Sequence, residues 1–410
     1  MVFEDEGCGL FSPLNTIKHT SLLKWGTKSL LQLLSECAKG ANLSLWGRDE
    51  LGEVTKESQG LEYNSAKDST VLLVNSRAKP GPELGKVLSK SKPFAAIAKH
   101  DLVAAKVNLA KIKPGVLGRK SVSQVAKLGE RIEFQPEILF QGYWNLVETN
   151  GLAIAEQAAP FEDQLGFSES AKLRGPPSNL IVQSSAVIED YVSIDTRLGP
   201  VIVSEGARIE AFSKLSGPCY VGPRARVLSA LVRGGTSIFE ECKVGGEIEN
   251  SVLMPHTNKA HFGYVGDTYV GEWVNLGAGS TFSNLKNTYG NVRTTFDGKK
   301  VDTGLIKLGP AIGDLAKVSI GALVFAGKKI GTGSHVTGLA SEDIPPFTYF
   351  DGTQEKMVEL LPESVIETQR RMKERRGLTL TRSEEELIWS AHRGSASERR
   401  AARVKKGRLG

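Results

Sequence analysis

The chain has 410 residues, of which 44 are glycine and only 7% are aromatic, a composition that suits a turn-rich, repetitive fold with more than one domain better than a helical bundle. Its formal net charge of +6 is concentrated in a basic C-terminal tail that runs from Arg370 and Arg371 through Arg399 and Arg400 to Lys405, Lys406 and Arg408. That tail lacks interleaved aromatic residues, so it reads as a solvated segment and not as a nucleic-acid interface, and no apolar run approaches the roughly 20 residues that span a bilayer. The acidic opening VFEDEG does not read as a signal peptide, and Cys8, Cys37, Cys219 and Cys242 show no CxxC spacing. Reduced thiols in a cytoplasmic protein are expected.

In chain order, residues 1–175 mix strand and helix patterns and predict an α/β domain. Thr70–Asn75 (TVLLVN) reads as a strand, and Thr27–Ala38 and Ala95–Lys111 read as helices. Leu173–Asn179 (LRGPPSN) is a Gly/Pro break and the candidate linker. From residue 180 to 350 aliphatic side chains recur every sixth position, as in Val203, Ile209, Leu215, Val221 and Val227, and again in Ile312, Val318, Val324, Ile330 and Val336. Such hexads predict a parallel β-helix: each aliphatic residue stacks inward on its equivalents in neighbouring coils, and the corner that follows favours Gly, Asp or Asn. No coil buries its face alone, so many coils are needed. The spacing fails from Ser283 to Lys307, which predicts a loop projecting from the solenoid. After Pro345-Pro346 the repeat stops, and residues 351–410 are expected to form a short tail with a capped helix beginning near Ser383.

The stretch His261–Asn287, HFGYVGDTYVGEWVNLGAGSTFSNLKN, places a histidine and several polar residues inside the repeat. Alternate residues of each short strand face outward, so a β-helix can carry reactive side chains on rigid elements without disturbing its core. Plainer readings stand beside this one. A lone histidine on such a surface is more often a solvated corner residue, Tyr264 falls six before Val270 and fits a core position, and Gly277 and Gly279 fit ordinary corners. Lys286, Lys328 and Lys329 fit solvated cations as well as phosphate contacts.

The hexads resemble the left-handed β-helix domains of hexapeptide acyltransferases. His261, Tyr264, Gly266 and Asp267, followed by Asn275, Gly277, Ala278 and Gly279, resemble the acetyltransferase signature of the bifunctional glucosamine-1-phosphate acetyltransferase and N-acetylglucosamine-1-phosphate uridyltransferase family. Asn258 to His261, Gly271 to Trp273 and Ser283 to Asn287 resemble more closely a divergent sugar-nucleotidyltransferase branch of that family. The resemblance implies transfer of an acetyl group from acetyl-CoA to the amine of an amino-sugar phosphate, in UDP-N-acetylglucosamine biosynthesis, by a homotrimer. It implies His261 as general base and the backbone N–H of Ala278 as oxyanion donor. Tyr264 would touch the sugar phosphate, Asn275 would hold the amino sugar or the acetyl group, and Asn284 would complete the substrate pocket, with Lys286 beside it. Gly277, Gly279 and Lys328 would meet the coenzyme.

Towards the N-terminus the resemblance is to the divergent branch. Nucleotidyltransferases of this family carry a glycine-rich loop whose N–H groups cradle a triphosphate, and no such loop follows the first strand here. Pro13-Leu14, Lys18-His19, Leu23 to Gly26, Asn75 to Arg77 and Tyr143 to Leu146 stand where the branch has its own motifs, with lysine replacing arginine at Lys18 and Lys24. That exchange keeps the charge and loses bidentate phosphate recognition. Residues 1–175 therefore read as a degenerate nucleotidyltransferase-like domain, with Lys18, Lys24 and Arg77 as candidate anion-binding residues and Mg²⁺ required only if nucleotidyl transfer survives. Two further function classes remain open: a bifunctional sugar-phosphate nucleotidyltransferase, and a non-catalytic trimeric scaffold that binds a sugar nucleotide.

Overall fold

The computed structural model describes residues 1–39, 41–65, 70–108, 117–162 and 170–407. The chain forms two compact units. One comprises Met1–Leu23, Lys28–Asn145 and Thr381–Ser390, and the other Lys24–Thr27, Leu146–Leu380 and Ala391–Gly410.

The first unit is built on a seven-stranded sheet in the spatial order Glu62–Tyr63, Ser44–Trp46, Val2–Phe3, Thr70–Asn75, Asp101–Asn108, Phe94–Ala98, Glu130–Phe134. The first four strands are parallel. Their chain order reverses at Val2–Phe3, the switch point at which an open α/β sheet forms its crevice. The helix Leu30–Cys37 starts in a capping box between Ser29 and Gln32 and buries Leu31 and Leu34 in the core of this unit. Ala95–Lys111 is not a helix. Phe94–Ala98 and Asp101–Asn108 are antiparallel strands, and residues 109–111 lie outside the described residues. Ala95, Ala96, Ala104 and Ala105 are fully buried, and this two-sided burial in a sheet interior outweighs the helix propensity of alanine. The helix expected near Ser383 spans Arg382–Gly394, and its capping box is formed by Thr381 and Glu384.

The second unit is a parallel β-helix with three faces. One is an eight-stranded sheet running from Leu180–Val182 to Lys329–Ile330. The next face carries, coil on coil, Arg208, Arg226, Lys243, Asn258, Asn275, Lys317 and His335 in register. The third carries Lys214, Leu231, Glu247 and Tyr264, and then the strand Thr281–Phe282. Both hexad runs are buried in one continuous core that reaches from Leu180 to Phe350.

Glycines follow the inward aliphatic residue at Gly222, Gly271, Gly277, Gly313 and Gly331, where a Cβ would crowd the backbone of the next coil, but the left-handed positions two residues further on are mixed. Between the first two faces the left-handed positions are glycines at Gly206 and Gly333, but Ser185, Arg224, Glu241, His256, Trp273 and Leu315 fill the others, although side chains disfavour that conformation. Between the second and third faces Tyr191, Phe212 and Ser229 occupy the early coils, and Gly246, Gly279, Gly321 and Gly338 the later ones.

The expected linker at Leu173–Asn179 is not a spacer, because Lys172–Arg174 pairs in register with Ser193–Asp195 as part of the β-helix. The units separate earlier in the chain, at Asn145 and Leu146. Asn150 explains why: its amide donates to the Gly235 carbonyl at 2.8 Å and to Ser237 Oγ at 2.9 Å, and its oxygen accepts from the Gly26 N–H. As expected, Ser283–Lys307 leaves the solenoid, with Leu285 bridging Lys307 at its base and an antiparallel hairpin, Arg293–Phe296 with Lys299–Asp302, beyond. The basic tail is more ordered than a solvated segment. Pro362–Glu374 and Ala396–Ala401 are helices, and Arg399 is buried against Glu359 at 3.0 Å.

Candidate functional site

The corner between the second and third faces carries the histidine. His261 and Phe262 are exposed there. In the next coil Gly277, Ala278 and Gly279 form the same corner, and the Gly279 N–H donates to the Phe262 carbonyl at 2.9 Å, so the two corners stack directly. Gly277 and Gly279 donate their own N–H groups within the solenoid, to Val318 and Phe262, whereas among the described residues the Ala278 N–H has no acceptor. The coil geometry itself accounts for both glycines. A Cβ on Gly277 would lie 2.5 Å from the Ile320 nitrogen, and Gly279 has φ +72°.

Asn275 stands on the second face just before this corner, half-buried, and its Oδ1 accepts from Asn258 Nδ2 at 3.0 Å. Tyr264 and Asn284 lie on the other side. Tyr264 is not a core residue, because Val265 fills the inward position and the hexad phase slips by one. Its hydroxyl donates to Glu249 at 3.1 Å and accepts from Asn284 Nδ2 at 2.9 Å. Asn284 also donates to Asp267 at 2.5 Å, and Asn250 donates to the same carboxylate at 2.7 Å. Burial pushes the Asp267 carboxyl up, and burial together with Glu249 pushes the Tyr264 phenol up. In this arrangement the Tyr264 proton is directed at Glu249, so a phosphate would have to displace that acceptor to take it. Asn284, Tyr264 and Asp267 pin the base of the projecting loop. Lys286 and Lys328 are both partly exposed, Lys286 on the loop and Lys328 in a late coil.

Lys259 lies inside the Asn258 to His261 motif, where the sequence assigns it no role. It occupies an inward position on the second face, level with Val244 of the coil before, and is fully buried. A charged residue inside an aliphatic hexad row was the signal for it in the sequence.

No family model matches the chain. It is 27% identical over 290 residues to a bifunctional sugar-1-phosphate nucleotidylyltransferase/acetyltransferase of Sulfurisphaera tokodaii, covering 66% of this chain and 64% of that protein. It is 24% identical over 263 residues to the bifunctional protein GlmU of Thermotoga maritima, covering 56% of this chain and 55% of the relative. The chain is thus similar in sequence to bifunctional proteins of the GlmU kind. It spans between about half and two thirds of the length of these relatives. Among solved structures, the UDP-N-acetylglucosamine acyltransferase from Campylobacter jejuni matches over 58% of this chain and 85% of its own, at 14% identity and a TM-score of 0.27.

In the first unit the strand ends at the switch point are filled by charges that pair with one another. Glu4 is fully buried and accepts from both Arg48 Nε and Nη2 at 2.9 Å, and from the Thr20 N–H and hydroxyl. Burial opposes ionisation of Glu4, but His19, Arg48 and the Thr20 N–H outweigh it and hold the carboxyl down at about 2. Arg77 is equally committed. It pairs with Asp5 at 2.5 Å and Asp101 at 3.1 Å and donates to the Phe140 carbonyl, with its side chain 2% exposed. Arg77 is therefore a structural ion-pair partner and not an anion-binding residue. Lys24 belongs to the other unit, where its Nζ lies 5.0 Å from the centre of the Phe239 ring and its main chain exchanges hydrogen bonds with the Tyr269 hydroxyl. Lys18 is buried in the first unit.

Proposed function

We propose that the β-helix transfers an acetyl group from acetyl-CoA to the amine of an amino-sugar phosphate of the glucosamine-1-phosphate kind. The observation that supports this reading is the exposed His261 corner stacked, through the Gly279 N–H and the Phe262 carbonyl, on the Gly277-Ala278-Gly279 corner, whose Ala278 N–H has no acceptor among the described residues. The amine nitrogen attacks the thioester carbonyl while the His261 imidazole takes its proton, and the tetrahedral oxyanion accepts the Ala278 N–H. Collapse breaks the carbon–sulfur bond, and the leaving thiolate takes the proton from the imidazolium. Asn275 orients the acceptor. The Tyr264–Asn284–Asp267 network holds the loop that walls the pocket, with Lys286 near the acceptor's phosphate and Lys328 towards the coenzyme, alongside the glycine corners that let the acyl group approach.

We infer a homotrimer in which neighbouring β-helices share the site. Phe262 and Ile320 are 72% and 77% exposed at this corner, and Leu323, Phe325 and Leu339 extend the apolar surface along the third face. Apolar surface of this kind is usually covered by another chain. The N-terminal unit is proposed to bind a phosphorylated ligand weakly and to transfer nucleotidyl groups poorly. Its crevice carboxylates Glu4 and Asp5 are occupied by Arg48 and Arg77. That arrangement does not fit Mg²⁺. No helix among the described residues is long and apolar enough to cross a membrane.

The deciding assay couples acetyl-CoA and glucosamine-1-phosphate to thiol release. Saturable release dependent on the amino sugar is expected, and its absence with a panel of amino-sugar phosphates would remove the reading. Pyrophosphate release from UTP and N-acetylglucosamine-1-phosphate tests the nucleotidyltransferase alternative, and the sedimentation coefficient of the active species tests the trimer.

A further inference from the structure

Along the second face the inward row runs Ile209, Val227, Val244, Lys259 and continues in later coils with Leu276, Val318, Val336 and Phe350. Lysine is the one charged residue in this series. An ammonium group inside an aliphatic stack is strongly unfavourable unless its protons are bonded. Lys259 Nζ donates to the Gly245 carbonyl of the coil below at 3.1 Å and to the carbonyl of His261. Burial also pushes its pKa down, to about 8.

The surrounding backbone is fitted to this clamp. A Cβ on Gly245 would lie 2.3 Å from the Ala260 carbonyl oxygen, and one on Gly246 3.0 Å from the His261 carbonyl oxygen. The His261 corner therefore rests directly on a glycine pair, with the lysine joining the two coils from inside. Among the described residues the His261 imidazole has no hydrogen-bond partner of its own, so its position is set through its main chain. Lys317 makes a comparable bridge, with Nζ donating to the carbonyls of Trp273 and Leu315, so a lysine strut between stacked corners is also a structural device of this fold. The difference at Lys259 is that one of its carbonyls belongs to the residue carrying the proposed base.

We propose that Lys259 is a positioning residue for His261, holding its backbone carbonyl so that the imidazole meets the acceptor amine and the Ala278 N–H in register. The proposal rests on the acetyl-transfer reading above. The test is Lys259→Met, which keeps the length and apolar bulk of the side chain and removes the donor, so the aliphatic stack should remain filled. The expected result is a fall in kcat of about 10 to 100-fold, the scale set by small misplacements of reacting groups. The KM for acetyl-CoA should stay within about twofold, since the coenzyme meets other residues, and the melting temperature should not fall. Amide hydrogen exchange over residues 260–263 should be faster than in the parent protein, while exchange in distant coils is unchanged. A parent-like kcat in a parent that transfers acetyl groups overturns the proposal, as does a variant that unfolds or loses activity only in proportion to its folded fraction. If the parent shows no acetyl transfer at all, the functional reading fails instead. Exchange over 260–263 then still decides whether the clamp exists, and unchanged exchange overturns it.

Discussion

The corner at His261 and the strand-end crevice of the N-terminal unit use polar residues in opposite ways. At the corner, the exposed His261 ring and the Ala278 N–H have no partners among the described residues, while buried groups such as Lys259, Asp267 and Asn284 hold the chain around them. In the crevice, Glu4 with Arg48 and Asp5 with Arg77 consume each other's hydrogen-bonding capacity. A reactive site needs fixed groups with capacity left over for a substrate, and in this chain the β-helix offers that and the crevice does not.

The strongest way to break this contrast is at His261. His261→Ala should lower acetyl transfer by about 100 to 10,000-fold while leaving coenzyme A binding and the fold intact, measured by steady-state kinetics and calorimetry. Near-parental turnover would mean that the corner is as inert as the crevice.

On the other side, Arg77→Ala should destabilise the N-terminal unit by about 3 to 5 kcal/mol, because it leaves Asp5 buried without its partner. Denaturant unfolding followed by the fluorescence of Trp46 would report it. A change under about 1 kcal/mol would place Arg77 among the surface cations after all.

The Glu4 pair should also appear in the acid dependence of stability. The folded carboxyl is held at about 2, below its ordinary 4.5, so the stabilisation is complete above about pH 4.5 and is lost as pH falls towards 2. The loss should amount to about 3 kcal/mol across that window. Glu4→Gln should flatten the slope, and an unchanged slope would assign it to other groups.

Smaller effects probe the rim of the β-helix site. Tyr264→Phe removes a hydroxyl that joins Glu249 to Asn284 and should cost about 1 kcal/mol, read as a rise of roughly fivefold in the acceptor KM. Lys328→Ala should raise the acetyl-CoA KM about two to fivefold, the scale of a partly exposed charge contact, and more weakly at high salt.

Periodicity made the β-helix legible, because an aliphatic residue every six positions can be buried by little else, and residues from Val203 to Val336 stack inward as the hexads imply. Failure of the same period located the projecting loop. The motif around His261 also located the corner that carries it. Alanine-rich strands at Phe94–Ala98 and Asp101–Asn108 were not legible, since local propensity favours a helix and only the neighbouring strands supply the burial that reverses it.

By itself, the sequence determined the repeat, its interruption and the identity of the polar residues in the His261 segment, all of which depend on neighbours close in the chain. Only the tertiary structure decided which of those polar groups are available. Arg77 is exhausted by Asp5, distant in sequence, Tyr264 is engaged by Glu249 and Asn284, and Lys259 is turned inward onto the carbonyls of Gly245 and His261. A hydrogen-bonding group has a small, fixed capacity, and whether any remains for a ligand depends on partners that only the folded chain brings within reach.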